Sequence, residues 1–394
     1  MCAFERSEKG MEFFMDTYYF DNGATTKVKE EVLNEMIPFF SEEYGNPSSV
    51  YHLARNAKKA VEEAREKVAN LIGAKKNEIY FVGSGSEADN TALKGIAYKN
   101  KKYKNHIITS KIEHHAVLES CQFLESQGFE VTYLNVDEKG FINLNELRQA
   151  ITDKTALISI MFANNEIGTI EPIEEIAEIA KQRGIIFHTD AVQAVGNTKI
   201  DVGKMKIDML SLSGHKIYGP KGIGALYVKE NIQFEKFING GHQERDKRAG
   251  TENTAGIVGL GKACQLANND IENHIKKMKL FRNYYIDEVS KKISNIRING
   301  AINARLPGNS NISFEGINGN DLLLELDNLG ICASSGSACN SKNPMPSHVL
   351  SAIGLNENLI KGALRVTFGE FNTKEQVDYL VASLEKTVKK LRKK

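Results

Sequence analysis

Residues 156–190 decide the fold of this chain: they read ALISIMF (156–162), then PIEEIAEIAKQRG (172–184), then GIIFHTD (184–190). The two outer runs are short, apolar and β-branched, which is typical of buried strands. The middle run spaces its apolar residues at helical steps and has Pro at its start and Gly at its end, which favours a helix. A strand, a helix and a strand in succession predict two parallel strands with a helical crossover.

The same alternation extends in both directions along the chain. Residues 58–71 place apolar side chains on one helical face, and Gly73 stops that helix. Further apolar runs read EIYFVG, HIITS, EVTYLNV, DMLSLS and GALYV. Continuous apolar strands separated by helices predict an α/β fold in which a mostly parallel sheet is covered on both faces.

The pattern changes near Gly256, where a long helical stretch begins at about residue 257 and ends at about 293. Short strands and helices follow it to the C-terminus. We therefore predict a large domain over 26–264 and a smaller α+β domain made of 1–25 and 265–394.

Composition narrows the function and the compartment. The 394 residues carry 51 Lys and Arg against 50 Asp and Glu, a net charge of +1, so nothing favours nucleic acid or a membrane surface over a small metabolite. No apolar stretch approaches the roughly 20 residues of a spanning helix, and the N-terminus lacks a secretory pattern. The five cysteines are widely spaced and odd in number, which predicts a reducing cytoplasm without disulfides.

Polar residues follow several of the predicted strands. Residues 84–90 follow the first run, and His114, Asn165, Asp190 and residues 213–216 follow later ones. Ligands of open α/β sheets bind beyond the carboxyl ends of the strands, so these residues predict one shared pocket.

The segment SLSGHKIYGPKG (211–222) places Lys216 in a turn after an apolar strand. That amine is suited to a Schiff base with an aldehyde cofactor, and Ser213 and His215 could hydrogen-bond a phosphate. A solvated loop lysine is the alternative interpretation of this segment taken alone.

Asp190 ends the buried run FHTD, where a carboxylate is costly unless it is paired. A pyridinium N–H is a suitable partner, while a carboxylate that only caps a loop is the alternative. Gln193 could donate to a phenolic oxygen on the same ring. His114 could stack on that ring and move protons near neutral pH, whereas we expect His115 to be structural.

GSGSEADN (83–90) is a turn of small residues that opens a helix, and the main-chain N–H groups of Ser84, Gly85 and Ser86 suit a phosphate. A simple capped turn fits equally well. The residues do not match a nucleotide-triphosphate phosphate loop.

Cys339 lies in SSGSACNSKNPMPSH (334–348), which is dense in Ser, Gly, Asn and Pro and predicts an exposed loop. An inert surface thiol is the alternative to a reactive one. Cys332 lies in an apolar run and is predicted to be in the core. Cys332, Cys339 and His348 do not have the spacing of a structural zinc site, so no metal is predicted.

The motifs FDNGATT, GNPSSVYH, EHHAVLES, FANNEIGTI, FHTDAVQAVG, SLSGHKIYGPKGIGALYV, AGTEN and SSGSAC occur in this order between about Tyr19 and Asn372. Together they resemble the class I cysteine desulfurases of the nitrogen-fixation or iron–sulfur-cluster-assembly type, in the class V aminotransferase superfamily. The resemblance implies the aspartate-aminotransferase-like fold of enzymes that use pyridoxal 5'-phosphate (PLP).

The resemblance also implies a role for each matching position. The reactive groups are Lys216, which carries the cofactor, His114, stacked on its ring, and Cys339, which accepts sulfur as a persulfide. The cofactor contacts are Asp190 at the pyridine nitrogen, Gln193 and Asn165 near the phenolic oxygen, Ser86, Ser213 and His215 at the phosphate, and Thr251 from the other subunit of a homodimer. Arg365 and Asn165 would bind the substrate, with Arg365 at its carboxylate. The family usually has Thr where this chain has Ser86, which keeps the hydroxyl.

The implied reaction converts L-cysteine into L-alanine and transfers sulfur to Cys339. The sulfur would pass to an acceptor protein such as an iron–sulfur scaffold, or to thiolated tRNA or cofactors. A selenocysteine lyase, a class V aminotransferase and an inactive scaffold are the alternatives. The first two share the Lys216 chemistry, and an aminotransferase has no need of the cysteine loop.

Overall fold

A computed structural model describes residues 17–335 and 346–393. The strands are β1 (Tyr18–Tyr19), β2 (Ile79–Val82), β3 (His106–Ser110), β4 (Glu130–Leu134), β5 (Thr155–Ser159), β6 (Ile186–Asp190), β7 (Met209–Ser213), β8 (Gly224–Val228), β9 (Ile296–Ile298), β10 (Asn309–Phe314), β11 (Ile331–Cys332) and β12 (Ala363–Thr367). The helices are α1 (Glu30–Met36), α2 (Pro38–Ser41), α3 (His52–Ile72), α4 (Gly85–Asn100), α5 (His115–Ser126), α6 (Leu144–Ala150), α7 (Ile173–Gln182), α8 (Gln243–Asp246), α9 (Thr254–Lys292), α10 (Gly319–Asp327), α11 (His348–Ala352), α12 (Glu357–Lys361) and α13 (Lys374–Leu391).

The seven apolar runs of the sequence form one sheet in the order β2-β8-β7-β6-β5-β3-β4. Both pairings of β8 are antiparallel, and the remaining pairings are parallel. Neighbouring residues of one strand enter different apolar clusters, as Ile107 and Ile108 of β3 do, so both faces of the sheet are covered. The predicted α/β fold with a mostly parallel sheet is confirmed.

A second, smaller group of strands follows α9. It comprises an antiparallel sheet in the order β12-β10-β9 and a parallel pair of β1 with β11. Its apolar cluster includes Phe20, Met278, Tyr285 and Val289, so the last turns of α9 pack here. The first turns of α9, including Cys264, pack in the core of the large sheet. The predicted boundary at residue 264 lies within α9 and stays a prediction. No helix of the described residues is long and apolar enough to cross a membrane.

Candidate active site

The carboxyl ends of β6 and β7 form the floor of the candidate site. These strands are parallel neighbours, with Asp190 opposite Ser211, and each ends at a predicted site residue, Asp190 in β6 and Ser213 in β7. A single 3-10 turn, Gly214–Lys216, follows β7 directly. The short connection brings Lys216 to the carboxyl edge of the sheet, where β6 ends at Asp190.

Lys216 and Gln193 both hydrogen-bond to the main-chain oxygen of Gly23. The Nζ atom of Lys216 donates to the carbonyl oxygens of Gly23, at 2.5 Å, and Ala24, at 2.8 Å. The side-chain amide of Gln193 donates to the same Gly23 oxygen at 2.9 Å. The structure therefore places the Gln193 amide beside the Lys216 amine, and the N-terminal segment closes over both.

Asp190 is buried, and its Oδ1 atom accepts the Val192 N–H at 2.9 Å. One ligand atom each of Asp190, His114 and Asp89 lie within 4.8 Å of one another. Burial raises the pKa of Asp190, and the charges of His114 and Lys216 oppose that rise. A cationic ring nitrogen at this position would balance a carboxylate that water cannot reach. The three groups could also hold a metal ion, but two of them are residues that the sequence assigns to the cofactor ring.

His114 caps the N-terminus of α5. Its Nδ1 atom accepts the Ala116 N–H at 3.1 Å, so a neutral ring carries its proton on Nε2. Burial is the largest cause that lowers the pKa of His114, and Asp190 acts in the opposite direction. The ring is thus held in a neutral form that can accept a proton only by giving up this cap.

The start of α4 lies against the end of β7, as a phosphate site at this edge requires. Ser84 caps α4 by accepting the Glu87 N–H at 3.1 Å, and Gly85 is the first helical residue. A Cβ atom on Gly85 would lie 2.7 Å from Val192 Cγ2 and 3.5 Å from Ser213 Cβ, so only glycine fits this approach. Ser86, in the first turn, is exposed. The unpaired N–H groups of this turn are available to an anion.

His215 lies between the lysine and the N-terminal segment. Its Nδ1 atom is 3.2 Å from the Thr25 hydroxyl. Burial, with the charges of Lys216 and Lys221, lowers the pKa of His215 to about 4. A neutral imidazole at neutral pH can donate one hydrogen bond to a phosphate oxygen without adding a charge.

Arg365, in β12, comes from the small sheet. Its Nη2 atom lies 2.8 Å from Asp21 Oδ1, and Nη1 donates to the main-chain oxygen of Asn165 at 3.1 Å. Its Nε atom is buried and has no hydrogen-bond partner among the described residues. The guanidinium therefore keeps a donor for a further acceptor, as a carboxylate-binding residue requires.

Cys339 lies outside the described residues, but both flanks of its segment reach the site. Ser334 exchanges main-chain hydrogen bonds with Arg365, at 3.2 and 2.6 Å. Ser347 donates its hydroxyl to Glu166 at 2.6 Å, and His348 donates to the Glu113 carbonyl at 3.0 Å. Cys332 is half-buried in β11 rather than in the core, because among the described residues this strand pairs with the two-residue β1 alone. The prediction of a core position for Cys332 was wrong.

Three acidic residues of the site were missed by sequence reasoning. Asp21 pairs with Arg365, Asp89 lies beside Asp190, and Glu166 holds Ser347. Each lies inside a motif that was recognised, namely FDNGATT, GSGSEADN or FANNEIGTI. The sequence signal for these residues is a charged side chain within a segment of mostly small or apolar residues. That signal does not indicate which distant residue the charged side chain contacts.

Comparison with known proteins identifies the family of the chain. The model of the Aminotransferase class-V family matches residues 18–380. A cysteine desulfurase IscS of Clostridium botulinum is 55% identical over 376 residues, 95% of each chain. A cysteine desulfurase IscS of Methanosarcina thermophila is 53% identical over 95% of this chain and 92% of its own.

Solved structures show the same fold. A NifS-like protein superposes with a TM-score of 0.89 at 37% identity, covering 95% of this chain and 99% of its own. SspA in complex with cysteine superposes with a TM-score of 0.80 at 41% identity, covering 91% and 100%. The chain belongs to the class-V aminotransferase family and, within it, to the PLP-dependent cysteine desulfurases.

Proposed function

We propose that this enzyme removes the sulfur of L-cysteine, releases L-alanine and carries the sulfur as a persulfide on Cys339 to an acceptor protein such as an iron–sulfur scaffold. The observation that carries the proposal is the convergence on residues 21–24. Lys216 Nζ bonds to Gly23 and Ala24, and Arg365 bonds to Asp21. An amino acid whose nitrogen faces Lys216 could thereby present its carboxylate to Arg365.

The residues around Lys216 fit PLP. When bound, PLP supplies an aldehyde that condenses with amines and a ring that withdraws electrons from the substrate Cα. Lys216 would hold it, Asp190 would balance the charge of the ring nitrogen, and His114 would lie against the ring. Ser84, Gly85 and Ser86 at the start of α4, with Ser213 and His215, would hold the phosphate. Gln193 and Asn165 would serve the phenolic oxygen.

The protein groups then divide the proton and sulfur transfers. Lys216, as a neutral amine, would take the substrate α-proton, and His114, which carries its proton on Nε2, would donate it to the substrate. The Cys339 thiolate forms an S–S bond with the substrate sulfur while the substrate Cβ–S bond breaks. The electron pair of that bond stays on the carbon side and is protonated, so cysteine and a thiol become alanine and a persulfide.

A homodimer completes the proposed site. Thr251 is exposed immediately before α9, as a residue donated to another subunit must be. On one chain, α1, α2 and the loop after them expose large apolar side chains: Leu33 at 48%, Ile37 at 49%, Phe40 at 66% and Tyr44 at 67%. A second copy of the chain would cover such a patch. The cysteine usage supports a reducing, cytoplasmic location.

Substitution of Cys339 tests the sulfur transfer. We expect Cys339→Ala to keep bound PLP, measured by its visible absorption, and to lose at least about 100-fold in sulfide release from L-cysteine, because the sulfur acceptor is gone. Cys332→Ala is the matched control, since Cys332 is half-buried near the same segment and has no assigned role. Sulfide release by Cys339→Ala at the control rate contradicts the proposal.

A further inference from the structure

A cluster of buried polar side chains lies close to Asp190, in β6 and in the strands on either side of it. His188, two residues earlier in β6, is fully buried. Its Nδ1 atom lies 2.9 Å from the Ser159 hydroxyl and its Nε2 atom 2.9 Å from the Ser211 hydroxyl. The ring is therefore bracketed by two neutral groups from the neighbouring strands.

Asp89 of α4 reaches this cluster from the helix layer. It is 1% exposed, and one of its oxygens lies with Asp190 and His114 in a group no wider than 4.8 Å. The Ser211 hydroxyl lowers the pKa of Asp89, against the larger effect of burial. Its Oδ1 atom is 3.8 Å from His188 Nε2, beyond hydrogen-bond range, and has no hydrogen-bond partner among the described residues.

His114 and His188 are the two rings near Asp89, and burial lowers the pKa of both, so neither offers it a cation. Burial lowers the pKa of His188 to about 3, so that ring is neutral. Glu113 and Asp190 add negative potential at Asp89. Asp190, in contrast, accepts the Val192 N–H, and the charge of Lys216 opposes the rise of its pKa. Two buried carboxyl groups this close cannot both ionise, and the environment assigns the negative charge to Asp190.

We propose that Asp89 is a positioning residue that acts as a neutral carboxylic acid: it keeps the proton that Asp190 would otherwise take, so that Asp190 faces the pyridine nitrogen as an anion. The pKa of Asp89 is raised well above its usual range by burial and by Asp190, in agreement with this arrangement. The inference rests on the proposed role of Asp190.

Two readouts on the purified holoenzyme test the proposal. The infrared carbonyl band of protonated carboxylic acids, identified by its shift in D₂O, reports the state of Asp89. The rate at which PLP is released on dilution reports the hold of Asp190 on the cofactor. Asp89→Asn replaces the acid by a neutral group that still hydrogen-bonds, and Asp89→Leu removes the hydrogen bonds.

Glu171→Gln is the matched control. Glu171 is 3% exposed and has an Oε1 atom without a hydrogen-bond partner among the described residues. Burial raises its pKa, its Oε2 atom accepts the Ile142 N–H, and Asp190 is not among the groups that shift its pKa. Its substitution should remove intensity from the same band without changing PLP release, which shows that the band reports buried neutral acids.

We expect Asp89→Asn to lose intensity from the acid band and to release PLP within about threefold of the wild-type rate, while Asp89→Leu releases it at least about tenfold faster. An unchanged acid band in Asp89→Asn, or a tenfold faster release by it, would show that Asp89 carries a charge and overturns the proposal. Wild-type release by Asp89→Leu would show that Asp89 does not position Asp190. If neither the wild type nor any variant binds PLP, the proposed role of Asp190 fails, and the acid band still reports the protonation state of Asp89.

If Asp89→Leu does not fold, the acid band and the PLP release of Asp89→Asn decide the question.

Discussion

The carboxyl edge of the seven-stranded sheet and the small sheet differ in how they treat the charge of their buried side chains. At the large sheet, burial suppresses charge, lowering the pKa of His188 to about 3 and raising that of Glu113 to about 8. At the small sheet, the buried Arg365 is paired with Asp21. The large sheet thus offers neutral surroundings in which a cofactor's charges dominate, and the small sheet offers one held cation for an anionic substrate.

The largest effect should come from the large sheet. Lys216→Ala removes the amine that would hold PLP and move the α-proton, so we expect turnover to fall by roughly 10³-fold or more. Alanine formation from L-cysteine measures it. Lys221→Ala is the control, because Lys221 is exposed in the same turn, and it should stay within a few-fold of wild type. Multiple turnovers by Lys216→Ala at the control rate would reassign the lysine.

The cation of the small sheet should act on substrate binding. Arg365→Lys keeps the charge but loses the fork of donors, so we expect the KM for L-cysteine to rise about 10- to 100-fold with a smaller change in kcat. Steady-state kinetics measures it. Arg392→Lys, whose guanidinium binds main-chain carbonyls of Ser294 and Asn295, is the control. An unchanged KM in Arg365→Lys would remove this arginine from the substrate site.

Glu166 contacts residues on both sides of the comparison, so its pKa tests whether burial also suppresses ionisation between the two sheets. Burial raises the pKa of Glu166 to about 7, against the opposing effects of Ser347 and Arg365. Because the folded pKa lies above the unfolded value, the contribution of Glu166 to stability is complete at acidic pH and is lost as pH rises through about 7. Glu166→Gln should therefore gain stability relative to wild type between pH ~4.5 and ~8, by at most about 3 kcal/mol.

Thermal unfolding at several pH values measures this difference. The exposed Glu385→Gln, in α13, should run parallel to wild type at every pH. If the Glu166→Gln difference does not change with pH, Glu166 is already ionised at acidic pH and the contrast between the two regions does not extend to it.

The smallest effect should come from the ion pair itself. Asp21→Asn leaves the Arg365 charge partly buried without its carboxylate, and we expect a loss of about 1–2 kcal/mol in the free energy of unfolding. Glu357→Gln breaks an exposed pair with Lys361 and should cost less than about 0.5 kcal/mol. Urea unfolding compares the two. Equal losses would mean that burial adds nothing to the Arg365 pair.

The sequence alone was sufficient to predict the strands of the large sheet and the long helix α9. It also predicted that Lys216 and Asp190 follow or end strands of that sheet. Hydrophobic periodicity is a local property, and strand ends follow from it, so a residue such as Asp190 can be placed at the carboxyl edge without knowing its neighbours. The resemblance carried by successive motifs supplied the family and the cofactor, which the comparisons support.

Only the tertiary structure decided which distant groups meet. Asp21 and Arg365 are 344 residues apart in the chain, and Glu166 and Ser347 are 181 apart. Asp89 and Asp190 come from a helix and a strand whose packing sets their separation. Contacts of this kind depend on how helices and strands pack in space. A buried charge is stable only when packing places a hydrogen-bond partner or an opposite charge beside it.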